Sequence, residues 1–127
     1  MRFRNLCIIL TIGVGGCANP LCTNEVVKTV SSPGGEHKAI LFMRECGATT
    51  DFTTQVSVDP GPFQTIGNVF IADGYNGGTR GPWGGPWADL EWVGTNQLLI
   101  TYDQQARIFD RKGRANGVTV AYRSLHR

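Results

Sequence analysis

This 127-residue chain has no helical periodicity of any length, only two histidines, and no apolar run long enough to cross a bilayer as a permanent helix. The first absence leaves strands and turns as the material of the fold. The second bears on metals. His37 and His126 stand at opposite ends, the six aspartates are scattered, and a calcium loop at "DGYNGG" would rest on one carboxylate. No Gly-x-Ser-x-Gly stretch offers a nucleophile elbow. No helix follows the glycines to present its N-terminus to a phosphate. These absences predict a protein with no cofactor, no metal and no catalytic residues.

Charge of one sign is lacking too. The 12 Lys+Arg stand against 10 Asp+Glu, but Arg2 and Arg4 fall in the first sixteen residues, and without them ten of each remain. A neutral domain carries no electrostatic footprint for nucleic acid.

The opening stretch, "MRFRNLCIILTIGVGGC", has a positive start, an apolar run from Leu6 to Val14, and two small residues before Cys17. That is the layout of an export signal. Its end, Val14-Gly15-Gly16-Cys17, resembles a bacterial lipobox, whose cysteine is joined to diacylglycerol before a peptidase cuts ahead of it. The resemblance implies a signal peptide over 1–16 and lipid attachment at Cys17, with several acyl chains holding the protein to the membrane. An ordinary signal peptide cut nearby and a buried apolar N-terminus are the competing readings. Ala18 follows the cysteine where aspartate would retain a lipoprotein at the inner membrane, so the expected address is the outer membrane, facing the periplasm. About 110 residues then remain, enough for one small domain. They divide into a tether with the first strand (17–30) and a single β domain (31–127).

If Cys7 leaves with the signal and Cys17 carries lipid, two cysteines are left, Cys22 and Cys46. An even pair in an oxidising compartment predicts a disulfide. The rival reading makes Cys46 a nucleophile assisted by His37.

Short runs rich in β-branched and aromatic residues alternate with Gly, Pro, Asn and Asp along the rest of the chain. They are "EVVKTV" (25–30), "KAILFMRE" (38–45), "TTQVSVD" (53–59), "GNVFIAD" (67–73), "ADLEWV" (88–93), "QLLITYD" (97–103), "ARIFD" (106–110) and "GVTVAYR" (117–123). Alternation puts Ala39, Leu41 and Met43 on one face, and sets Val56 and Val58 against Gln55 and Ser57. The expected fold is all-β: a small antiparallel meander forming a sandwich or partly open barrel.

"SPGGEHKAILF" and "LEWVGTNQLLITY" resemble the two halves of a β-propeller repeat, but one copy of each is present and the length excludes a closed propeller. A wider resemblance runs from "RECGATTDFTTQVSV" through "GNVFIADG" and "LEWVGTNQLLITYDQQARIF" to "NGVTVAYR". Together these resemble a family of small bacterial exported proteins and lipoproteins with a Cys-Gly-Ala-Thr-Thr motif. The resemblance implies one exported β domain and brings no activity. Gly34 departs from it, standing where an acidic residue is expected.

Three stretches are candidates for function. "DGYNGGTRGPWGGPW" (73–87) spaces Tyr75, Trp83 and Trp87 among six glycines. Exposed rings on a pliable backbone suit a sugar, with Asp73, Asn76 and Arg80 supplying polar contacts. The alternative is a surface loop whose tryptophans fold back on the core. "GATTDFTT" (47–54) offers hydroxyls around Asp51, either lining a polar site or capping turns. Between Arg107 and Arg127, six cations face Asp110 alone on an expected hairpin, a surface for anionic lipid, an acidic partner or solvent. Asp89 and Glu91 share a strand face, as an acid/base pair or a solvated rim would.

The expected function is therefore a membrane-anchored lipoprotein of the bacterial cell envelope, a non-catalytic domain that binds another envelope protein. The alternatives are a binder of glycan or peptidoglycan fragments through loop 73–87, and an inhibitor or immunity protein of a secreted hydrolase.

Overall fold

Alternating apolar side chains build two sheets that face each other across one core. The structure, a computed structural model, describes residues 21–47 and 50–126. Residues 1–20, which include the expected signal segment and Cys17, together with Ala48, Thr49 and Arg127, lie outside the described residues. Nine strands follow in order: β1 (Thr23–Ser31), β2 (Lys38–Glu45), β3 (Thr53–Val58), β4 (Phe70–Asp73), β5 (Ala88–Gly94), β6 (Gln97–Asp103), β7 (Arg107–Arg111), β8 (Arg114–Ala115) and β9 (Val118–Leu125). One sheet has the order β1-β2-β3-β4-β7 and the other β5-β6-β9-β8. The all-β sandwich expected from the strand pattern is present.

The meander holds for β1 to β4 and for the β5–β6 hairpin, which pair antiparallel. It fails in the last third. β7 returns to the first sheet and pairs with β4, while β9 lies parallel to β6. The expected hairpin between 106–110 and 117–123 is thus two strands in different sheets. A parallel neighbour needs a crossover connection, and β7 with the turn after it supplies one. Apolar residues favour this solution: Val118 and Val120 are buried with Leu98 and Ile100 in one cluster, and Ile108 packs against it.

The inward faces carry Leu41, Val56, Val58, Phe70, Leu98, Ile100 and Val118, all essentially inaccessible to solvent. Phe70 lies 5.4 Å from Tyr102 and 6.0 Å from Tyr122, centroid to centroid, so three rings join the sheets at the centre. Such ring pairs contribute about 0.5–1.5 kcal/mol each beyond their burial. Hydrogen bonds also cross between the sheets. The Trp92 indole donates to Val30 O at 2.9 Å, which covers part of the β1 edge. The Tyr122 hydroxyl, 2.7 Å from Lys112 O and 2.9 Å from Val69 O, shares its one proton between them. Burial pushes the Tyr122 phenol well above its usual range.

The outer face of β3 is covered as well, against the half-exposed strand that Gln55 and Ser57 suggest. Segment 60–69 folds back over it. Gln55 Oε1 accepts from Gly67 N at 2.8 Å, and Ser57 Oγ accepts from Asn68 N at 3.2 Å. Asn68 then extends the β-ladder with its side chain, accepting from Val58 N and donating to Val58 O, both at 2.8 Å. The polar residues of β3 are buried because this segment brings their partners.

Cys22 and Cys46 form the expected disulfide. Thr23 pairs with Glu45 in the ladder, so the cysteines are the next pair outward, and the bond fastens the open end of the β1–β2 hairpin. His37 stands at the far end of β2, bonded at 2.6 Å to Asp59. Eight strand residues separate it from Cys46, about 30 Å of extended chain, which removes the nucleophile reading. Closing a loop of this length restricts the unfolded chain by about 3 kcal/mol. The Cys22→Ser/Cys46→Ser variant is expected to lose roughly 2–5 kcal/mol in urea unfolding. Reducing the native protein should lower its midpoint equally.

A candidate binding cleft on the outer face of the five-stranded sheet

Strand register lines up one row of side chains across the outer face. Arg44 of β2 pairs with Thr53 of β3, Thr53 with Asp73 of β4, and Asp73 with Arg107 of β7. Directly opposed residues share a face, so four residues far apart in sequence form the floor of a cleft of about 460 Å³. Cys46 closes one end, beside the disulfide. Thr50 and Asp51 form a second wall, and Tyr75 and Phe109 a third.

Asp73 and Arg107 form a two-pronged pair: Nε donates to Oδ1 at 3.0 Å and Nη2 to Oδ2 at 2.7 Å. Asp73 Oδ1 also accepts from Tyr75 N at 3.1 Å. The carboxylate is nearly buried and the guanidinium partly exposed. Its charged carbon sits 4.3 Å from the centre of the Tyr75 ring and 5.0 Å from that of Phe109. Cation–π attraction of this kind orders exposed rings. Tyr75 is 72% and Phe109 57% exposed, so both rings stay open to solvent. Phe109 takes its place through a bulge opposite Ile71 and Ala72, the device that re-aims a side chain at a sheet edge.

Asp51 is engaged from all sides. Arg80 donates to it through Nη1 and Nη2, each at 3.1 Å, while Phe52 N reaches Oδ1 at 3.0 Å and Gly74 N reaches Oδ2 at 3.1 Å. Partial burial pushes its carboxyl upward. The Arg80 hydrogen bond and charge, with the two backbone N–H groups, outweigh that and hold it below its ordinary value. Arg80 also donates to Gly84 O at 2.7 Å, so this ion pair ties down loop 74–87.

The loop is held firmly, contrary to the pliable backbone its glycines suggest. Trp83 is half-buried against the core, its indole N–H donating to Thr54 Oγ1 at 2.9 Å, while that hydroxyl donates to Pro86 O at 2.6 Å. The glycines admit these rings. A Cβ at Gly81 would collide with the Trp83 ring, and one at Gly84, where φ is +96°, with Phe52. Buried Asp103 fixes the loop at Thr79, accepting from its N–H at 2.9 Å, and also accepts from Gln105 N at 2.8 Å.

Of the residues the loop offered for a ligand, Asp73 and Arg80 are therefore bound within the protein, Trp83 faces the core and Trp87 is half-buried. Tyr75 and Asn76 remain exposed, and Tyr75 alone of the two borders the cleft. Arg107, one of the C-terminal cations, completes the site with Arg44 and Phe109, which carry no sequence signal because strand pairing alone brings them here. The C-terminal cations are dispersed: Arg107 pairs with Asp73, Lys112 with Asp110, and Arg111 donates to the Tyr102 hydroxyl. Asp89 is paired with Lys28. Among the described residues no group of three His, Cys, Asp or Glu could hold a metal.

No protein-family model, curated protein or solved structure matches the chain. Its chemistry is read from the geometry.

Two outcomes follow. A depressed carboxyl stabilises the fold fully above its unfolded value of 3.8 and loses that contribution as pH falls through the lower folded value. Wild type should therefore exceed Asp51→Asn in melting temperature at neutral pH, with the gap closing below pH 3.8. Gly84→Ala should cost at least about 2 kcal/mol by denaturant titration, from the left-handed backbone and the Phe52 ring together.

Proposed function

We propose that this chain is a cell-envelope lipoprotein, held through Cys17 after removal of 1–16, whose β domain is a binding module working through the cleft. The observation that carries the binding reading is the state of the cleft's groups. Asp51 and Asp73 are each gripped by an arginine, whereas the Tyr75 and Phe109 rings on the rim stay exposed. The Asp51 carboxyl, held below its ordinary value, is a poor proton donor, Asp73 is engaged by Arg107 through two hydrogen bonds, and both cysteines beside the cleft are in a disulfide. The site favours holding a ligand over transforming one.

The anchor reading draws on the lipobox resemblance and on the disulfide, which suits an oxidising compartment. Cys17 precedes Cys22 by five residues, a reach of at most about 18 Å. An anchored domain would sit close to the bilayer with the disulfide end of the cleft nearest to it. Ala18 favours the outer membrane, facing the periplasm.

A second reading has a protein as the partner, including a secreted hydrolase that this domain would inhibit. Phe63 at 93% exposure, with Ile66 and Val26, favours it. Segment 60–69 crosses the same outer face, since both Asn24 and Arg44 donate to Thr65 O.

The deciding measurement is the intact mass of the protein extracted from membranes, with and without reduction. A mass beginning at Cys17 plus acyl groups is expected, with two thiols freed only on reduction. A mass retaining residues 1–16 overturns the anchor, and steady substrate turnover by the pure protein overturns the binding module.

A further inference from the structure

The cleft has its acceptors occupied and donors left over. All four lone-pair positions of Asp51 are filled, two by Arg80 and one each by Phe52 N and Gly74 N. Asp73 is held by Arg107 and Tyr75 N. Thr53 Oγ1 donates to Arg44 O and accepts from Gln55. Thr50 Oγ1 donates to Gly47 O.

Arg44 is in the opposite condition. Its Nη1 donates to two neutral acceptors, Asn24 Oδ1 at 2.9 Å and Thr65 O at 3.1 Å. These hold the guanidinium in place without cancelling its charge, and its Nε and Nη2 make no hydrogen bond among the described residues. No carboxylate among them lies within ion-pair distance. Arg107 keeps Nη1 in the same state. A half-buried, prepositioned and uncompensated guanidinium calls for an oxyanion, which it binds with charge-assisted and often paired hydrogen bonds.

The opposite wall adds a shape requirement. Tyr75 is stacked on Arg107, so its exposed face is already ordered and loses little freedom on contact. A ring with one apolar face fits it. A volume of about 460 Å³ accommodates a small ligand.

We propose that the cleft binds an acidic sugar, Arg44 taking its carboxylate and Tyr75 the apolar face of its ring. This deepens the binding reading above and rests on it. It moves sugar recognition from the tryptophans, which are packed inward or half-buried, to a tyrosine and an arginine 31 residues apart that strand pairing brings to one cleft.

The test titrates the processed protein, as extracted from membranes in detergent, with N-acetylmuramic acid and with N-acetylglucosamine, followed by calorimetry. The two share a ring and differ by the lactyl ether at O3, which carries the carboxylate. The acidic sugar is expected to bind about tenfold tighter or more. Arg44→Gln should erase that difference and Arg44→Lys restore part of it, while Tyr75→Ala weakens both sugars. Melting curves establish that each variant is folded, and if Arg44→Gln unfolds, Arg44→Lys and Tyr75→Ala carry the comparison.

Equal binding of the two sugars, or binding of neither, overturns the proposal. So does binding of glycerol phosphate with the acidic sugar silent, which would make the cleft a lipid-headgroup site. The titration is indifferent to acylation. An acylated protein that binds no sugar loses this inference alone, and an unacylated one that binds retains it.

Discussion

Asp51 offers four acceptor positions, and all four are filled by groups from different parts of the chain. It lies just before β3, yet it fixes Gly74 and Arg80, which belong to the passage from the first sheet to the second. That passage has only a short ladder of its own, an antiparallel bridge between Arg80 and Pro86 with Gly81 N donating to Gly85 O and Trp87 N to Thr79 O, so it depends on side chains for the rest of its support. Each half-exposed ion pair contributes little by itself. Here the guanidinium also grips Gly84 O, and the carboxylate also caps two backbone donors, so the ions act as a staple. Tyr75 follows directly after the stapled Gly74, which is how the wall of the cleft acquires a defined position.

Asp103 performs a matching task from the other sheet. It is fully buried at the end of β6 and accepts from Thr79 and Gln105. Two aspartates thus hold the first half of loop 74–87, Asp51 at Gly74 and Arg80, and Asp103 at Thr79 between them. Beyond Arg80 the glycines let rings approach the backbone closely, as at Gly81 against Trp83 and Gly84 against Phe52. A glycine-rich segment is flexible in an unfolded chain, whereas in this domain its lack of side chains permits tight packing.

The outer face of the five-stranded sheet is busy compared with that of an ordinary sandwich. Segment 60–69 covers the polar side of β3, Arg44 and Asn24 grip Thr65 O, and the cleft opens beside them. Exposed Tyr75 and Phe109 border the cleft, while exposed Phe63 and Ile66 ride on the segment. One sheet face therefore holds both surfaces that suit a ligand or partner, and the disulfide lies at its edge.

Much of the fold was legible in the chain. Runs rich in β-branched and aromatic residues between turn residues mark the eight longer strands, and period-two alternation adds the faces of 38–45 and 53–59. The 38–45 and 97–103 runs coincide with β2 and β6. The two-residue β8 has no such pattern to show. The Cys22–Cys46 bond also followed from counting cysteines in a chain read as exported. Sequence could not decide that β7 crosses to the first sheet or that β9 runs parallel to β6, because local pattern specifies a strand and not its neighbour. Nor could it assemble the site. Arg44, Asp73 and Arg107 meet only through register across three strand pairs, and Trp83 turns inward only because Thr54 awaits its N–H. Covalent order determined which segments are strands, and contacts between residues distant in sequence decided which of their side chains face a common cleft.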